Sequence, residues 1–184
     1  MRVTVITPPE PIVTFGEVEK HLADVPDEDK TYVEGLVAAA TAWIDGPAGW
    51  LGRALGEQTL EAVGRIDCDP VQLPFGPVRG VDSITYTDAA GNQQTVDPAS
   101  YQQDGDYLAA AAGFVWPAEP VRIRYSAGYP LSGDKSTAPA PIKVAIMMLV
   151  AQWYGTRAAV NIGKSVSEMP FAVDALLQPY RVYR

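Results

Sequence analysis

The chain contains little of the side-chain chemistry from which most active sites are built. Its 184 residues include one cysteine and one histidine. The cysteine, Cys68, excludes an internal disulfide and a zinc site made of cysteines, and its run IDCDP favours a small buried residue over a nucleophile. His21 has no second histidine near it, so we interpret it as a surface residue of a helix. A Ser–His–acid triad stays open as an alternative, although the G-x-S-x-G elbow is absent.

The chain also lacks long apolar runs. Hydrophobic residues make up 47% of the sequence, which is enough to bury a core, yet no run reaches the roughly 18–20 residues needed to cross a bilayer. The stretch from Ile142 comes closest, but Gln152, Gly155 and Arg157 interrupt it. The opening MRVTVITPPEP has no apolar core and no cleavage site typical of a signal peptide. We therefore expect a soluble protein without a membrane partner.

Positive charge is scarce. The 14 lysines and arginines are outnumbered by 22 aspartates and glutamates, which gives a formal net charge of −8. This balance argues against a surface that binds nucleic acid through phosphate contacts. An acidic wall that repels DNA is still compatible with a conduit through which DNA passes. The alternative is that the net charge only keeps the protein in solution.

Three stretches suggest a ligand, and each has a simpler explanation. The acidic run 24–29 lacks EF-hand spacing, and negative charge at the start of a helix accounts for it. The run 104–106, DGD, is a turn signal. The run 158–165, AAVNIGKS, fits a relaxed phosphate-binding loop, but it follows a helix instead of a strand and has a single glycine. We predict no catalytic residue, no cofactor and no metal site.

Hydrophobic periodicity changes twice along the chain and divides it into three segments. Residues 1–56 contain two helices, the first opened by a capping box at Thr14 and Glu17. Residues 57–127 contain short β-rich runs, with a hairpin expected between 83–87 and 93–96 and a half-exposed strand in VRIRYSA. Residues 128–184 contain the C-terminal helices and tail that complete the bundle. The predicted fold class is α+β, a small bundle of about four helices with an inserted antiparallel β-rich subdomain.

The helix that begins near Pro141 is apolar nearly all the way round. One face consists of Ile142, Ala145, Ile146, Leu149 and Trp153. A helix in a small domain normally needs one apolar stripe, so the second apolar face indicates deep burial or packing between subunits. We expect Trp153 to pack on Trp43 in the core, whereas Tyr154 is left open between core and subunit contact. A last helix is expected at about 168–178.

The sequence resembles the head–tail connector, or adaptor, proteins of tailed phages. The most specific part is PIKVAIMMLVAQWY at 141–154 followed by SEMPFAVDALLQPYRV at 167–182. The opening is also similar, in ITPPEPIVTFGEVEKHL, DEDKTYVEGLVAAATAWI and LGRALGEQTLE. The middle, VQLPFGPVRGVDSITYTDAAGNQQTVDPASY, fits more loosely. The resemblance extends from about Ile6 to Val182.

This resemblance implies a non-enzymatic structural protein of a tailed phage or a gene-transfer-agent-like particle, located at the head–tail interface of the virion. It implies a homo-oligomeric ring, dodecameric to match the portal, which binds the portal protein and extends the DNA channel toward the tail. Neighbouring adaptor subunits and a stopper or tail-completion protein are the other implied partners. DNA would pass through the channel without specific binding.

The resemblance also implies which residues make these contacts. In the family the C-terminal tail reaches into the portal ring, and tyrosine and arginine are residue types that anchor interfaces. The expected portal-binding tail is Tyr180, Arg181, Val182, Tyr183 and Arg184. The expected contacts between subunits are Met147, Met148, Val150, Tyr154 and Tyr32.

Two other functions stay open on the sequence. The first is a stopper or tail-completion protein of the same particle, which also forms a ring on the channel axis. The second is a small nucleotide-binding enzyme that uses Lys164 and Ser165, which the absence of a preceding strand disfavours.

Overall fold

The computed structural model describes residues 1–23, 25–156 and 171–183. The helices of this part are α1 (Phe15–Leu22), α2 (Lys30–Ile44), α3 (Ala140–Gly155) and α4 (Phe171–Leu177). Its strands are β1 (Arg2–Thr7), β2 (Gln58–Gly64), β3 (Val71–Gln72), β4 (Val78–Thr87), β5 (Gln93–Thr95), β6 (Tyr101–Asp104), β7 (Tyr107–Ala110), β8 (Val121–Ala127), β9 (Leu131–Ser132) and β10 (Lys135–Ser136). Short 3-10 helices cover Asp27–Asp29, Pro98–Ser100 and Gln178–Tyr180.

The chain divides into two units. The sheet unit contains Met1–Glu10 and Arg53–Tyr129, and the helical unit contains Pro11–Gly52 and the chain from Pro130 onward. The predicted fold class, a helical bundle with an antiparallel β-rich part, is confirmed. The boundaries differ from the predicted 1–56 and 57–127, because β1 pairs with β2 and so joins the first ten residues to the sheet unit.

The sheet unit has two antiparallel sheets around one core. The larger has the order β1-β2-β8-β4-β5, and the smaller has the order β3-β7-β6. Ala62, Ile123 and Ile84 lie side by side on β2, β8 and β4 and are fully buried. Val71 and Leu108, from the smaller sheet, belong to the same buried cluster. Alternation of apolar and polar residues on β8 therefore places one face of the larger sheet in the core.

Two glycines allow backbone segments of this unit to approach each other closely. Gly56 pairs with Tyr129, and a Cβ on Gly56 would overlap the carbonyl oxygen of Glu10. Gly128 has a φ of +101°, and a Cβ there would overlap the carbonyl oxygen of Gly56. Only glycine fits both the left-handed backbone and this close approach.

The other face of the larger sheet carries an ion-pair cluster. Glu61 on β2 accepts hydrogen bonds from Arg122 and Arg124 on β8, at 3.0 Å from Arg124 Nη2. Burial raises the pKa of Glu61, whose side chain is only 7% exposed, but the hydrogen bonds and charges of Arg124 and Arg122 outweigh it. The pKa of Glu61 therefore lies below its ordinary value.

The helical unit is organised around α3. This helix packs against α1, α2 and α4, which accounts for apolar residues on more than one of its faces. Its buried residues are Ile142, Ala145, Ile146, Leu149 and Val150. Val33, Val37, Ala40 and Ile44 face them from α2, and Val173 and Leu177 do so from α4. The predicted capping box of α1 is present, with Thr14 and Glu17 bonded reciprocally.

The structure confirms the predictions for the hairpin and for His21 and contradicts the prediction for Cys68. The predicted hairpin is confirmed, since β4 pairs with β5. His21 is exposed on α1, as predicted. The prediction for Cys68 is wrong, because this residue is exposed in a bend outside the strands. Acidic residues flank Cys68 in sequence, and no alternating apolar pattern continues through the run. The expected start of the last helix lies outside the described residues.

The lowered pKa of Glu61 predicts loss of stability in acid. A carboxyl whose pKa falls on folding stabilises the protein above its unfolded pKa, about 4.3, and this stabilisation disappears as the pH falls through the folded pKa. We expect the urea midpoint to decrease between about pH 5 and pH 3, and Glu61→Gln to flatten that decrease. Glu19→Gln, at an exposed position of α1, is the control. An unchanged slope for Glu61→Gln would contradict the assignment.

Candidate assembly interface

No candidate metal centre is found among the described residues. No group of three histidine, cysteine, aspartate or glutamate side chains in this part is placed to hold a metal ion. None of its helices is long and apolar enough to span a membrane. An open groove of about 530 Å³ on the sheet unit has Glu119 and Arg122 as its charged residues, and Arg122 is already paired with Glu61. Lys164 and Ser165 lie outside the described residues.

The described part of the C-terminal tail, residues 180–183, contacts the chain's own helical unit. The Arg181 guanidinium stacks 3.9 Å from the centre of the Trp50 ring and 4.8 Å from that of Tyr183. The Val182 N–H donates to the carbonyl oxygen of Leu51 at 2.9 Å. The Tyr183 ring is 68% exposed. Tyr180 is half-buried, and Arg184 lies outside the described residues.

Gly52 lies directly against the backbone of the tail at Val182. Its φ is +66°, in the left-handed region, and a Cβ there would lie 2.6 Å from the Val182 carbonyl oxygen. Any other residue would therefore meet both backbone strain and a steric clash with the tail. This contact is not predictable from local patterns, because Trp50 and Gly52 are far from the tail in sequence and belong to no motif.

The residues expected at subunit contacts are only partly accessible. Tyr32 is 42% exposed, with its ring centre 6.3 Å from that of Tyr154. The Tyr154 hydroxyl donates to Asp29 Oδ2 at 2.6 Å. Met147 and Met148 are half-buried.

The predicted subunit contact of Val150 is wrong. It is fully buried within the chain, so its side chain does not face a neighbouring subunit. The additional helices around α3 account for it. Trp153 packs on Trp43 as predicted, at 6.5 Å between ring centres, but both remain partly exposed.

The outward side of α2 forms a smooth, uncharged stripe. Its members are the exposed residues Gly35, Ala38, Ala39 and Ala42. They recur at the spacing of one helical face and have the small side chains that allow close helix packing. The outward residues of α3, Val144, Met148 and Ala151, carry no charge either. The i, i+3, i+4, i+7 spacing of the α2 stripe was visible in the sequence.

Solved structures similar to this chain come from phage-like particles, although no family model and no curated protein matches it. A chain of the virion of a native gene transfer agent (GTA) particle is 25% identical with a TM-score of 0.77. A chain from the neck of an empty GTA particle, computed with C6 symmetry, is 25% identical with a TM-score of 0.76. Each comparison covers 100% of this chain and 97% of the other.

A third match concerns the fold alone. A chain from the neck of a native GTA particle, computed with C12 symmetry, has a TM-score of 0.71 at 24% identity over the same coverage. Together the matches identify the class of fold, that of a neck chain of a phage-like particle. The first two matches support a structural role at the head–tail interface of a virion.

The contact between Gly52 and the tail predicts a substitution that acts on stability. Gly52→Ala should lower the free energy of unfolding by about 1–2 kcal/mol, because alanine resists a left-handed backbone and its methyl group meets Val182. Gly35→Ala is the matched control. It has open space around it on α2 and should stabilise the protein by up to about 1 kcal/mol. Urea unfolding of both variants measures the difference, and equal effects would contradict the tail contact.

Proposed function

We propose that the chain is the subunit of a head–tail adaptor ring that docks on the portal and extends the DNA channel toward the tail. The observation that carries this proposal is the end-to-end likeness to chains of a GTA virion and neck. The likeness covers both units, so it is not explained by a shared helix bundle or a shared sheet alone. The proposed role is structural, without catalysis or a cofactor.

The helical unit supplies the surfaces that a ring requires. A closed ring needs two different complementary patches on each copy. The small-residue stripe of α2 is one such patch, and the uncharged outer side of α3 with Met147 and Met148 is the other. Tyr32 and Tyr154 lie at the edge of these patches, where partly exposed aromatic side chains add contact area. A copy number of twelve would match the portal.

The net charge supports the proposal that the ring extends the DNA channel. The net charge of −8 gives the ring an acidic character, which disfavours adhesion of the DNA backbone. DNA would then pass through the channel without specific contacts.

The tail is the proposed portal contact. Its described residues combine two tyrosines, an arginine and a valine beyond α4, and Tyr183 is largely exposed. Arg184 continues the same composition at the end of the chain. Aromatic and arginine side chains contribute strongly to interfaces when they enter a partner's pocket.

Removal of the tail tests the portal contact. A chain that ends at Gln178 keeps the buried Val173 and Leu177 of α4, and it should lose binding to isolated portal rings of the same particle by at least about tenfold. Sedimentation with the portal and imaging of the product measure this loss. Undiminished binding would remove the tail from the proposal. Preferential binding of the full chain to the tail tube, with none to the portal, would favour the stopper or tail-completion function.

A charge on the α2 stripe tests the contact between subunits. Ala39→Glu changes an exposed helical position, so the stability of the free subunit should stay within about 0.5 kcal/mol. Ring formation on the portal should weaken by at least about tenfold, because burial of an unpaired carboxylate costs several kcal/mol. Ala89→Glu adds the same charge in an exposed turn of the sheet unit and should assemble normally. Equal assembly of both variants would exclude the stripe from the ring contact.

A further inference from the structure

We propose that Trp50, Leu51 and Gly52 form a docking site for the chain's own C-terminal tail, and that this site competes with the portal for the tail. The competition rests on the adaptor function proposed above, whereas the docking site itself rests on contacts within the helical unit. The occupant is the Arg181–Val182 segment of the tail.

The loop that presents the site is held rigidly at the end of α2. The N–H groups of Trp50 and Leu51 donate to the carbonyl oxygens of Trp43 and Ile44, at 3.0 and 3.2 Å. A Cβ on Gly49 would overlap the Asp45 backbone, so the loop is folded tightly against the helix end. Leu51 is fully buried. A fixed loop keeps the Trp50 ring and the Leu51 carbonyl oxygen in place for a ligand.

Each element of the site matches one feature of the tail. The Trp50 ring faces a guanidinium at 3.9 Å, a geometry that attracts a cation. The Leu51 carbonyl oxygen accepts the Val182 N–H, a main-chain contact that is independent of the valine side chain. Gly52 leaves room for the Val182 carbonyl oxygen. Arg181 has an extended backbone, with φ of −73° and ψ of 130°, so the site recognises a cation in extended backbone followed by a main-chain N–H.

The tail reinforces its own bound conformation. The Arg181 N–H donates to the Gln178 carbonyl oxygen at 3.2 Å, which closes a turn after α4. The Gln178 side chain donates to the Tyr183 hydroxyl oxygen at 2.7 Å. Arg181 therefore lies between two aromatic rings, Trp50 on the body and Tyr183 on the tail. The exposed ring of Tyr183 is the part that a partner reaches first.

Docking of this kind is strong enough to occupy the tail and weak enough to be reversed. A single exposed cation–π contact changes an equilibrium by about twofold to fivefold, and a single hydrogen bond by about as much. The portal can then capture the tail only from the undocked fraction, so its apparent affinity is reduced by that fraction. Docking thus holds Arg181 and Val182 against the body of the free subunit and releases them at the portal.

Trp50→Leu tests the site in the full chain. Trp43→Leu is the matched control, because Trp43 is a partly exposed tryptophan of the neighbouring helix α2 and has no contact with the tail among those described. In the free protein, Trp50→Leu should accelerate hydrogen exchange of the Val182 amide by about twofold to fivefold, and Trp43→Leu should leave it unchanged. Arg181→Gln should accelerate it similarly, which provides an independent arm if Trp50→Leu folds poorly. Unchanged exchange in both Trp50→Leu and Arg181→Gln would overturn the docking site, whatever the portal does.

Binding to isolated portal rings tests the competition. Trp50→Leu should bind about twofold to fivefold more tightly than wild type. Faster exchange together with unchanged or weaker portal binding would overturn the competition. Loss of the tail without loss of portal binding would overturn the proposed portal contact, while the exchange result in the free protein would still support the docking site.

Discussion

Packing of three helices around α3 is the constraint on which the helical unit depends. α1, α2 and α4 each cover part of this helix, and the fully buried Ile142, Ile146 and Val150 show how much of its surface they remove from water. Apolar burial is the largest favourable contribution to folding, so the positions of α2 and α4 follow from that of α3. The α2 stripe and the tail are in turn held where those two helices place them.

Local sequence patterns were sufficient to predict several secondary-structure elements, but they did not predict which distant strands pair. Alternation in VRIRYSA predicted β8, the glycine turn predicted the β4–β5 hairpin, and the capping residues predicted α1. The pairing of β1 with β2 joins residues more than fifty positions apart, and no local period encodes a partner at that distance. Cys68 was misplaced because a short apolar-acidic run does not distinguish a strand from a bend.

The sequence predicted the apolar character of the candidate interface, but it predicted only partly which of those residues are exposed. The second apolar face of α3 correctly indicated additional partners, but the sequence does not tell a neighbouring helix of the same chain from a neighbouring subunit. Val150 was therefore assigned to the wrong partner, whereas Tyr32 is exposed enough to contact another copy. The contact of Arg181 with Trp50 depends on the tertiary fold, so it was invisible to spacing.

The close backbone approach at Gly56 and Gly128 ties together the chain ends of the sheet unit. The chain leaves this unit after Glu10, returns at Arg53 and leaves again after Tyr129. Hydrogen bonds from Glu10 to Glu57 and from Tyr129 to Leu55 hold the segments beside these passages together. The turn after β4 lies at the opposite end of a ten-residue strand. A module with its ends tied together can diversify at its far loops without disturbing its anchorage. Changes in the turn between β4 and β5 should therefore leave the tied ends of the sheet unit intact.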